Sequence, residues 1–218
     1  MSLQNEIQSL MAELGTKVPA EMMEKVGAFI GRITTDGVGG TARKVGEKAP
    51  GFVLRGVSGD TVSLADLLAK GPVVVTFFRG EWCPFCDLEL RAYQKALPEF
   101  TALGASIVAI SPQSLENSRS TAESRSLGFE VLSDPGITVA KAYGLVFSMN
   151  DAEQTLHKDF GADLPAINEA ANWDLPVPAT YVIDRAGNIA WAFVEANYTT
   201  RAEPADVLKA VGALGHAH

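Results

Sequence analysis

From Gly46 onward, short apolar runs alternate with stretches in which apolar residues recur every three or four positions. The runs VVVTFF at 73–78 and SIVAIS at 106–111 are rich in β-branched residues and lack polar alternation, which predicts strands buried on both faces. Shorter strands are predicted at 52–54, 131–132, 180–183 and 189–194, and helices at 64–68, 115–127, 138–143 and 204–214. This rhythm predicts an α/β domain with a mostly parallel or mixed central sheet and helices on both faces.

Two amphipathic helices are predicted ahead of this domain. The apolar faces consist of Ile7, Leu10, Met11 and Leu14 in the first helix, and of Met22, Val26, Phe29, Ile30 and Ile33 in the second. The glycine-rich stretch 36–40 is a flexible break, so we place an N-terminal helical extension at 1–40 and the α/β domain at 46–215. Packing within the chain is the default expectation for these helices, and pairing with a second subunit is the alternative.

The segment at about 147–176 interrupts the alternation of strands and helices and is predicted to be an insertion. Leu156, Phe160 and Leu164 have helical spacing within it. Long insertions in compact domains tend to be lids, binding loops or contact surfaces. Two roles are therefore open, a contact in a homodimer and a cover over the substrate.

The charge balance excludes several classes of partner. The 218 residues carry a formal net charge of −8 and contain no basic run, so neither nucleic acid nor an anionic membrane surface is expected to bind. No apolar run approaches the length of a membrane span, and the first residues, MSLQNEIQSLMAEL, do not resemble a signal peptide. We therefore expect a cytoplasmic protein, where a C-x-x-C pair is more often redox-active or metal-binding than a permanent crosslink.

The candidate chemistry lies in FFRGEWCPFCDLEL, residues 77–90. This stretch contains the only two cysteines, Cys83 and Cys86, between a predicted strand and a predicted helix. The first turn of a helix has unpaired N–H groups and a partial positive charge, which favour a thiolate, and Pro84 suits the first helical position. Arg79 adds a second positive influence if its side chain turns toward the sulfur. We therefore expect an exposed, acidic Cys83 to attack and Cys86, one turn later, to close a disulfide.

Three other interpretations of the cysteine pair are open. A closed zinc site needs four ligands, and only His157, His216 and His218 could add nitrogen donors, so we expect no metal. Two inert buried cysteines are less expected where they flank a proline at a helix start. A structural disulfide is disfavoured because nothing else in the sequence indicates an oxidising compartment. We expect no organic cofactor.

The chain resembles a known family. A strand, then W-C-P-F-C opening a helix, then a distant V-P-A-T before a hairpin is similar to the thioredoxin fold. Within this fold, the chain resembles the peroxiredoxin-like members of the alkyl hydroperoxide reductase and thiol-specific antioxidant (AhpC/TSA) family. The likeness covers about 46–214, and its most specific pieces are FFRGEWCPFC, LPVPATYVIDRAGNI and YTTRAEP.

The resemblance implies a cis peptide bond between Val177 and Pro178 that packs beside Cys83. The residues expected to form the wall of the active site are Trp82, Pro84, Val177, Pro178 and Thr180.

The sequence departs from the family pattern at two places. Peroxiredoxins carry P-x-x-x-T-x-x-C, and here Thr76 and Gly80 stand at the positions of the proline and the threonine. The family's arginine before the later strand is matched by Pro178. In the family, that threonine and arginine orient the peroxide and stabilise charge on its oxygens. Arg79 and Thr180 are the candidates to replace them.

Two enzyme hypotheses follow from the pair. In the first, the Cys83 thiolate reduces a hydroperoxide, becomes a sulfenic acid and condenses with Cys86, and a thioredoxin-like dithiol then reduces the disulfide. In the second, Cys83 attacks a disulfide of another molecule and Cys86 resolves the mixed disulfide. The family resemblance favours the peroxidase and the local motif favours the reductase; we place the peroxidase first. A non-enzymatic binding module that keeps the scaffold is the third hypothesis.

Overall fold

The computed structural model describes residues 2–215. Its helices are α1 (Leu3–Lys17), α2 (Ala20–Thr35), α3 (Leu64–Lys70), α4 (Pro84–Ala102), α5 (Leu115–Ser124), α6 (Thr138–Ala142), α7 (Asp151–Asp159), α8 (Leu164–Asn168) and α9 (Pro204–Leu214). Its strands are β1 (Val53–Gly56), β2 (Thr61–Ser63), β3 (Val73–Phe77), β4 (Ser106–Ser111), β5 (Glu130–Ser133), β6 (Val146–Ser148), β7 (Asp174–Pro176), β8 (Ala179–Ile183) and β9 (Ile189–Val194). None of the helices in this part of the chain is long and apolar enough to cross a membrane.

Seven strands form one sheet in the order β2-β1-β5-β4-β3-β8-β9. Strands β5, β4 and β3 are parallel, whereas β8 pairs antiparallel with β3 and β9 antiparallel with β8. Every residue of β3 and β8 is buried, which explains why both strands are apolar almost throughout. The predicted mixed sheet flanked by helices is confirmed.

The two N-terminal helices pack within the chain. α1 lies against α4, and the Gln4 N–H donates to Glu203 Oε1 at 2.7 Å, just before α9. On α2, Arg32 Nη2 donates to Glu153 Oε2 of α7 at 2.7 Å. These contacts agree with the default expectation, and they bury the apolar residues Leu3, Ile7, Phe29 and Ile33.

The 147–176 region contains structure that the sequence pattern did not predict. β6 and β7 form a separate two-stranded antiparallel sheet, and strands of three residues are too short to show a periodicity. α7 begins with a capping box in which Asn150 and Glu153 satisfy each other's backbone N–H groups. α7 therefore has a well-defined start and a defined orientation.

The predicted cis bond between Val177 and Pro178 is wrong, because residues 2–215 contain no cis peptide bond. The chain passes from β7 to β8 without a turn or bend, and the Val177 N–H donates to the Leu145 carbonyl at 2.8 Å. Trans is the preferred isomer of an X–Pro bond by about 0.5–1 kcal/mol. A direct passage between two strands does not require the cis form.

Candidate active site

The segment between β3 and α4 positions the first cysteine. The chain leaves the buried end of β3 through Phe78, Arg79 and Gly80. Gly80 has a φ of +152°, and a Cβ atom there would lie 2.8 Å from Trp82 Cδ1 and 2.9 Å from Gln113 Oε1. Glycine is the residue that tolerates this backbone and this close approach. A threonine would not fit at the position where the peroxiredoxin pattern has one.

Cys83 is the N-cap residue of α4 and Pro84 is the first residue of the helix. The Cys83 carbonyl accepts the N–H of Cys86 at 3.0 Å and the N–H of Asp87 at 3.1 Å. Both cysteines are free thiols. The pair therefore lies at the positively polarised start of one helix, as the sequence predicted.

The expectation that the Cys83 sulfur is exposed is wrong. Both cysteines have a relative exposure of 0%, because α4 begins beneath the N-terminal helices, α7 and the loop before α9. Their surroundings are nevertheless charged, since an arginine nitrogen lies within hydrogen-bonding distance of each sulfur. Reaction at Cys83 consequently requires movement of the side chains around it.

A buried arginine contacts Cys83. Arg79 Nη2 donates to Cys83 Sγ at 3.1 Å, and the Arg79 guanidinium lies 3.7 Å from the ring centroid of Tyr198 and 4.8 Å from that of Trp82. These cation–π contacts hold the planar group in one orientation. Within residues 2–215, the Nε and Nη1 atoms of Arg79 are buried and have no hydrogen-bond partner. These two nitrogen atoms carry three N–H bonds, which are free to bind an oxygen atom of a substrate.

A second buried arginine contacts Cys86. Arg201 Nη2 donates to Cys86 Sγ at 3.3 Å, and its Nε donates to Glu89 Oε2 at 2.9 Å. The Nη1 of Arg201 donates to the carbonyl oxygens of Tyr198 and Thr200. These bonds tie the loop before α9 to the first two turns of α4.

The environment gives the two thiols different acidities. Burial acts to raise the pKa of Cys83, but the hydrogen bond with Cys86 and the positive charges of Arg79 and Arg201 outweigh it and bring this pKa well below its usual range. Burial raises the pKa of Cys86 well above its usual range, and the hydrogen bond and negative charge of Cys83 add to this effect against the two arginines. Cys83 is therefore the more acidic thiol of the pair and the one that ionises first.

A titratable carboxyl group lies one turn beyond Cys86. Burial raises the pKa of Glu89 from 4.5 to about 7, although the charge and hydrogen bond of Arg201 act in the opposite direction. Glu89 consequently exchanges its proton near neutral pH, and it does so next to the guanidinium that binds Cys86.

A cavity of about 320 Å³ lies beside Arg79. The residues that supply its polar groups are Arg79, Trp82, His157 and Tyr198. Six of its apolar residues belong to α1, α2 and the turn between them: Met11, Leu14, Val18, Met23, Val26 and Phe29. Leu156 of α7 and the adjoining Phe160 add to the wall. The insertion thus forms part of the wall of this cavity.

Comparison with known proteins identifies the family. Residues 45–192 match the AhpC/TSA family. The chain belongs to the AhpC/TSA family. This match covers the sheet through β8, the cysteine pair and α4, whereas α1, α2 and α9 lie outside it.

Individual relatives agree with this assignment. Rv2521 of Mycobacterium tuberculosis, whose name gives peroxiredoxin as a provisional assignment, is 35% identical over 99 residues, or 45% of this chain and 62% of the relative. The thiol-disulfide oxidoreductase ResA of Halalkalibacterium halodurans is 32% identical over 103 residues, or 47% of this chain and 57% of the relative. The chain therefore spans less than two thirds of either relative.

A solved structure shows the fold. Peroxidoxin BcpB of Mycobacterium tuberculosis superposes with a TM-score of 0.60 at 24% identity, over 80% of this chain and 98% of that chain. The thioredoxin-like fold expected from the sequence is thereby confirmed.

The structure brings together five of the predicted site residues of this AhpC/TSA protein: Arg79, Trp82, Cys83, Pro84 and Cys86. The other three, Val177, Pro178 and Thr180, are buried, and like the two cysteines they do not line the cavity. Thr180 Oγ1 donates to Thr76 Oγ1 at 3.2 Å and accepts from the Tyr93 hydroxyl at 3.3 Å. Because this hydroxyl is used inside the core, Arg79 is the better supported of the two proposed replacements.

Sequence reasoning assigned no role to Glu89, His157, Tyr198 or Arg201. The helical spacing of the sequence could have indicated Glu89, because it places this charged residue on the same buried face as Cys86, Leu90 and Tyr93. Arg201 lies 112 residues from Glu89 along the chain, so only the family-like YTTRAEP stretch indicated it.

The structure also bears on the zinc interpretation. In the part of the chain that the structure describes, no three His, Cys, Asp or Glu side chains are grouped so as to hold a metal ion. His157 lies on α7, and its Nδ1 is bonded to the Glu153 carbonyl. His216 and His218 lie outside the described residues.

Proposed function

We propose that this protein is a thiol-dependent peroxidase that reduces hydroperoxides through the Cys83 thiolate. The observation that carries the proposal is the contact of Cys83 Sγ with Arg79, a residue that lines the cavity and whose buried Nε and Nη1 atoms have no hydrogen-bond partner within residues 2–215. Membership of the AhpC/TSA family and the likeness to Rv2521 support the same chemistry. Arg79 then acts in place of the family arginine.

In the first step, the Cys83 thiolate attacks the terminal oxygen of a hydroperoxide, ROOH. A sulfur–oxygen bond forms, the O–O bond breaks, and its electron pair leaves on the second oxygen as RO⁻. The Arg79 donors face the charge that develops on this oxygen, and preorganised donors of this kind lower the barrier. Water protonates RO⁻ to the alcohol, and Cys83 becomes a sulfenic acid.

In the second step, Cys86 resolves the sulfenic acid. Its sulfur attacks the Cys83 sulfur, a disulfide forms, and the hydroxyl group leaves with the Cys86 proton as water. Arg201, 3.3 Å from Cys86 Sγ, stabilises negative charge on this sulfur as its proton departs. A thioredoxin-like dithiol reduces the disulfide by exchange, and we propose a cytoplasmic location, where such a reductant operates.

The shape and lining of the cavity bear on the substrate. Its mostly apolar wall suits a hydroperoxide with an apolar body, because burial of apolar surface contributes about 25 cal/mol per Å². A homodimer is compatible with the proposal, but the contacts of α1, α2 and α7 within one chain do not require it.

A disulfide reductase is the second candidate. Likeness to ResA, a thiol-disulfide oxidoreductase by name, favours it, and so does the W-C-P-F-C motif. In this case the Cys83 thiolate attacks a disulfide sulfur, and Cys86 releases the reduced product.

Stopped-flow fluorescence of the reduced protein separates these functions, since Trp82 lies beside Arg79 and Cys83. With hydrogen peroxide or cumene hydroperoxide, we expect a fluorescence change at least about 100-fold faster than oxidation of free cysteine at the same pH. Cys83→Ser should abolish this change and Cys86→Ser should keep it. A rate equal to that of free cysteine would exclude the peroxidase, and reduction of insulin disulfides by the same sample would then establish the second candidate.

A further inference from the structure

His157 is a buried histidine that faces the cavity beside Arg79. Its relative exposure is 6%, and its ring packs edge-on against Trp82 and Phe29, with ring centroids 5.3 and 5.4 Å apart. α7 supplies it, so it comes from the insertion and lies far along the chain from the cysteines. Its ring plane is held by these two aromatic contacts.

The hydrogen bond at one ring nitrogen determines the state of the other. His157 Nδ1 lies 2.8 Å from the Glu153 carbonyl oxygen, which can only accept, so Nδ1 carries the proton. Burial and the charge of Arg79 lower the pKa of His157 to about 4, so the imidazole is neutral at pH 7. Nε2 is then an acceptor without a proton.

The hydroperoxide group needs both kinds of partner. It carries one O–H donor and lone pairs on both oxygens, whereas Arg79 and the Trp82 Nε1 atom can only donate. The polar residues that line the cavity leave two acceptors, His157 Nε2 and the Tyr198 hydroxyl. The Tyr198 ring is stacked on the Arg79 guanidinium, so its hydroxyl lies beside a positive charge. The Tyr198 hydroxyl can also donate a hydrogen bond, whereas His157 Nε2 in this tautomer can only accept one.

We propose that His157 is a catalytic residue whose Nε2 accepts the hydrogen bond of the terminal O–H of the hydroperoxide while Arg79 binds the second oxygen. This inference rests on the proposed peroxidase function. Together the two residues align the O–O bond with Cys83 Sγ, and Gly80 has no side chain that could do so. The O–H proton stays on the oxygen that becomes part of the sulfenic acid. This oxygen receives the electron pair of the thiolate as it gives up the O–O pair to the leaving oxygen, and the hydrogen bond holds it in line for that displacement.

Three substitutions at one position isolate this hydrogen bond. His157→Gln can place a carbonyl oxygen near the site of Nε2, whereas His157→Asn can keep a donor to Glu153 but has no acceptor that reaches as far. His157→Phe keeps the aromatic contacts and removes both nitrogens. Tyr198→Phe is the matched control that removes the other acceptor from the cavity.

The assay compares two reactions of Cys83 in each variant. One is oxidation by hydrogen peroxide and by cumene hydroperoxide, and the other is alkylation by iodoacetamide, which requires the thiolate but contains no O–O–H group. We expect His157→Asn and His157→Phe to slow oxidation by both peroxides about 10- to 100-fold and alkylation less than about 3-fold. His157→Gln should be faster in oxidation than His157→Asn and His157→Phe. Tyr198→Phe keeps the ring on Arg79 and removes only the hydroxyl, so it should lower the ratio of oxidation to alkylation less than His157→Phe does.

Several results would overturn the inference. Equal slowing of oxidation and alkylation would show that His157 acts on the thiolate or on the fold. Slowing with cumene hydroperoxide alone would make His157 part of the apolar wall, and a loss confined to Tyr198→Phe would assign the acceptor to Tyr198. A wild-type protein no faster than free cysteine removes the proposed function and this inference together, whereas a fast wild type with unaffected His157 variants removes this inference only.

Discussion

The contact between Arg79 and Cys83 can be tested by removing the charge while keeping a hydrogen-bond donor. Arg79→Gln does this, because the guanidinium that lies 3.1 Å from Cys83 Sγ is replaced by a neutral amide. An opposite charge favours the ionised thiol, so its removal must raise the pKa of Cys83. Cys83 stays buried in the variant, and burial acts in the same direction.

The distance sets the scale of the effect. Two unit charges 3.1 Å apart interact by about 5 kcal/mol at an effective dielectric constant of about 20, which is an upper bound. Arg201 also lowers the pKa of Cys83 and is still present in the variant. A neighbouring opposite charge typically changes a pKa by about 1–3 pH units, so we expect the pKa of Cys83 to rise by this amount.

Alkylation by iodoacetamide as a function of pH measures this pKa directly. At a pH below the wild-type pKa, each unit by which Arg79→Gln raises the pKa of Cys83 lowers the thiolate fraction tenfold. The alkylation rate of the variant should therefore be about 10- to 1000-fold lower than that of the wild type. Oxidation by hydroperoxide should drop further, because Arg79→Gln also removes the donors that face the leaving oxygen.

The control replaces Arg125, which follows α5 and contacts residues at the start of α4 without a hydrogen bond to either sulfur. Arg125 binds the Asp87 carboxylate and donates to the Glu81 carbonyl, and Arg125→Gln should change the pKa of Cys83 by less than about half a pH unit. An unchanged pKa of Cys83 in Arg79→Gln, or an equal change in both variants, would refute the electrostatic role assigned to Arg79.

Three further predictions concern neighbouring groups. Cys86→Ser should leave a sulfenic acid on Cys83 after one equivalent of peroxide, detected by mass spectrometry after dimedone trapping; a variant that forms no adduct, although it consumes peroxide, would contradict the assignment of Cys86 as resolving residue. Because the pKa of Glu89 is raised to about 7 from 4.5, its contribution to stability is complete below pH 4.5 and is lost as the pH rises through 7. In urea titrations, the free energy of unfolding of the wild type relative to Glu89→Gln should therefore fall by about 3 kcal/mol between these two pH values. A difference that does not depend on pH would contradict this prediction. Gly80→Ala should lower the free energy of unfolding by about 1–3 kcal/mol, because its Cβ would meet Trp82 and Gln113 at a backbone φ of +152°, and an unchanged denaturant midpoint would show that the loop relaxes freely.

The fold was largely predictable because its signals are local. The bounds predicted for β4, β9 and α9 agree with the structure, since each of these elements has its periodicity or β-branched composition within a few residues. The position of Cys83 and Pro84 at the start of α4 also follows from local signals. The small β2 strand and the β6–β7 pair were not predicted, because three residues do not define a period.

The family pattern led to one wrong prediction, at Pro178, and revealed one departure, at Gly80, that the structure explains. The cis bond at Pro178 was carried over from the family, and the direct passage from β7 to β8 does not contain it. The absence of the family threonine at Gly80 was noticed from the sequence, and the close approach of Trp82 and Gln113 supplies its physical reason.

The sequence by itself determined the strands, the helices and a pair of cysteines at a helix start, because these depend on neighbours along the chain. The tertiary structure decided that both sulfurs are buried, that Arg201 and Glu89 meet beside Cys86, and that α1, α2 and α7 enclose a cavity at Arg79. These features depend on contacts between residues that lie far apart along the chain, 112 positions in the case of Arg201 and Glu89. No local period or motif indicates which distant side chains will meet. The acidity of Cys83 belongs to the second group, because it results from burial, its hydrogen bond with Cys86 and two arginines, one of them far along the chain.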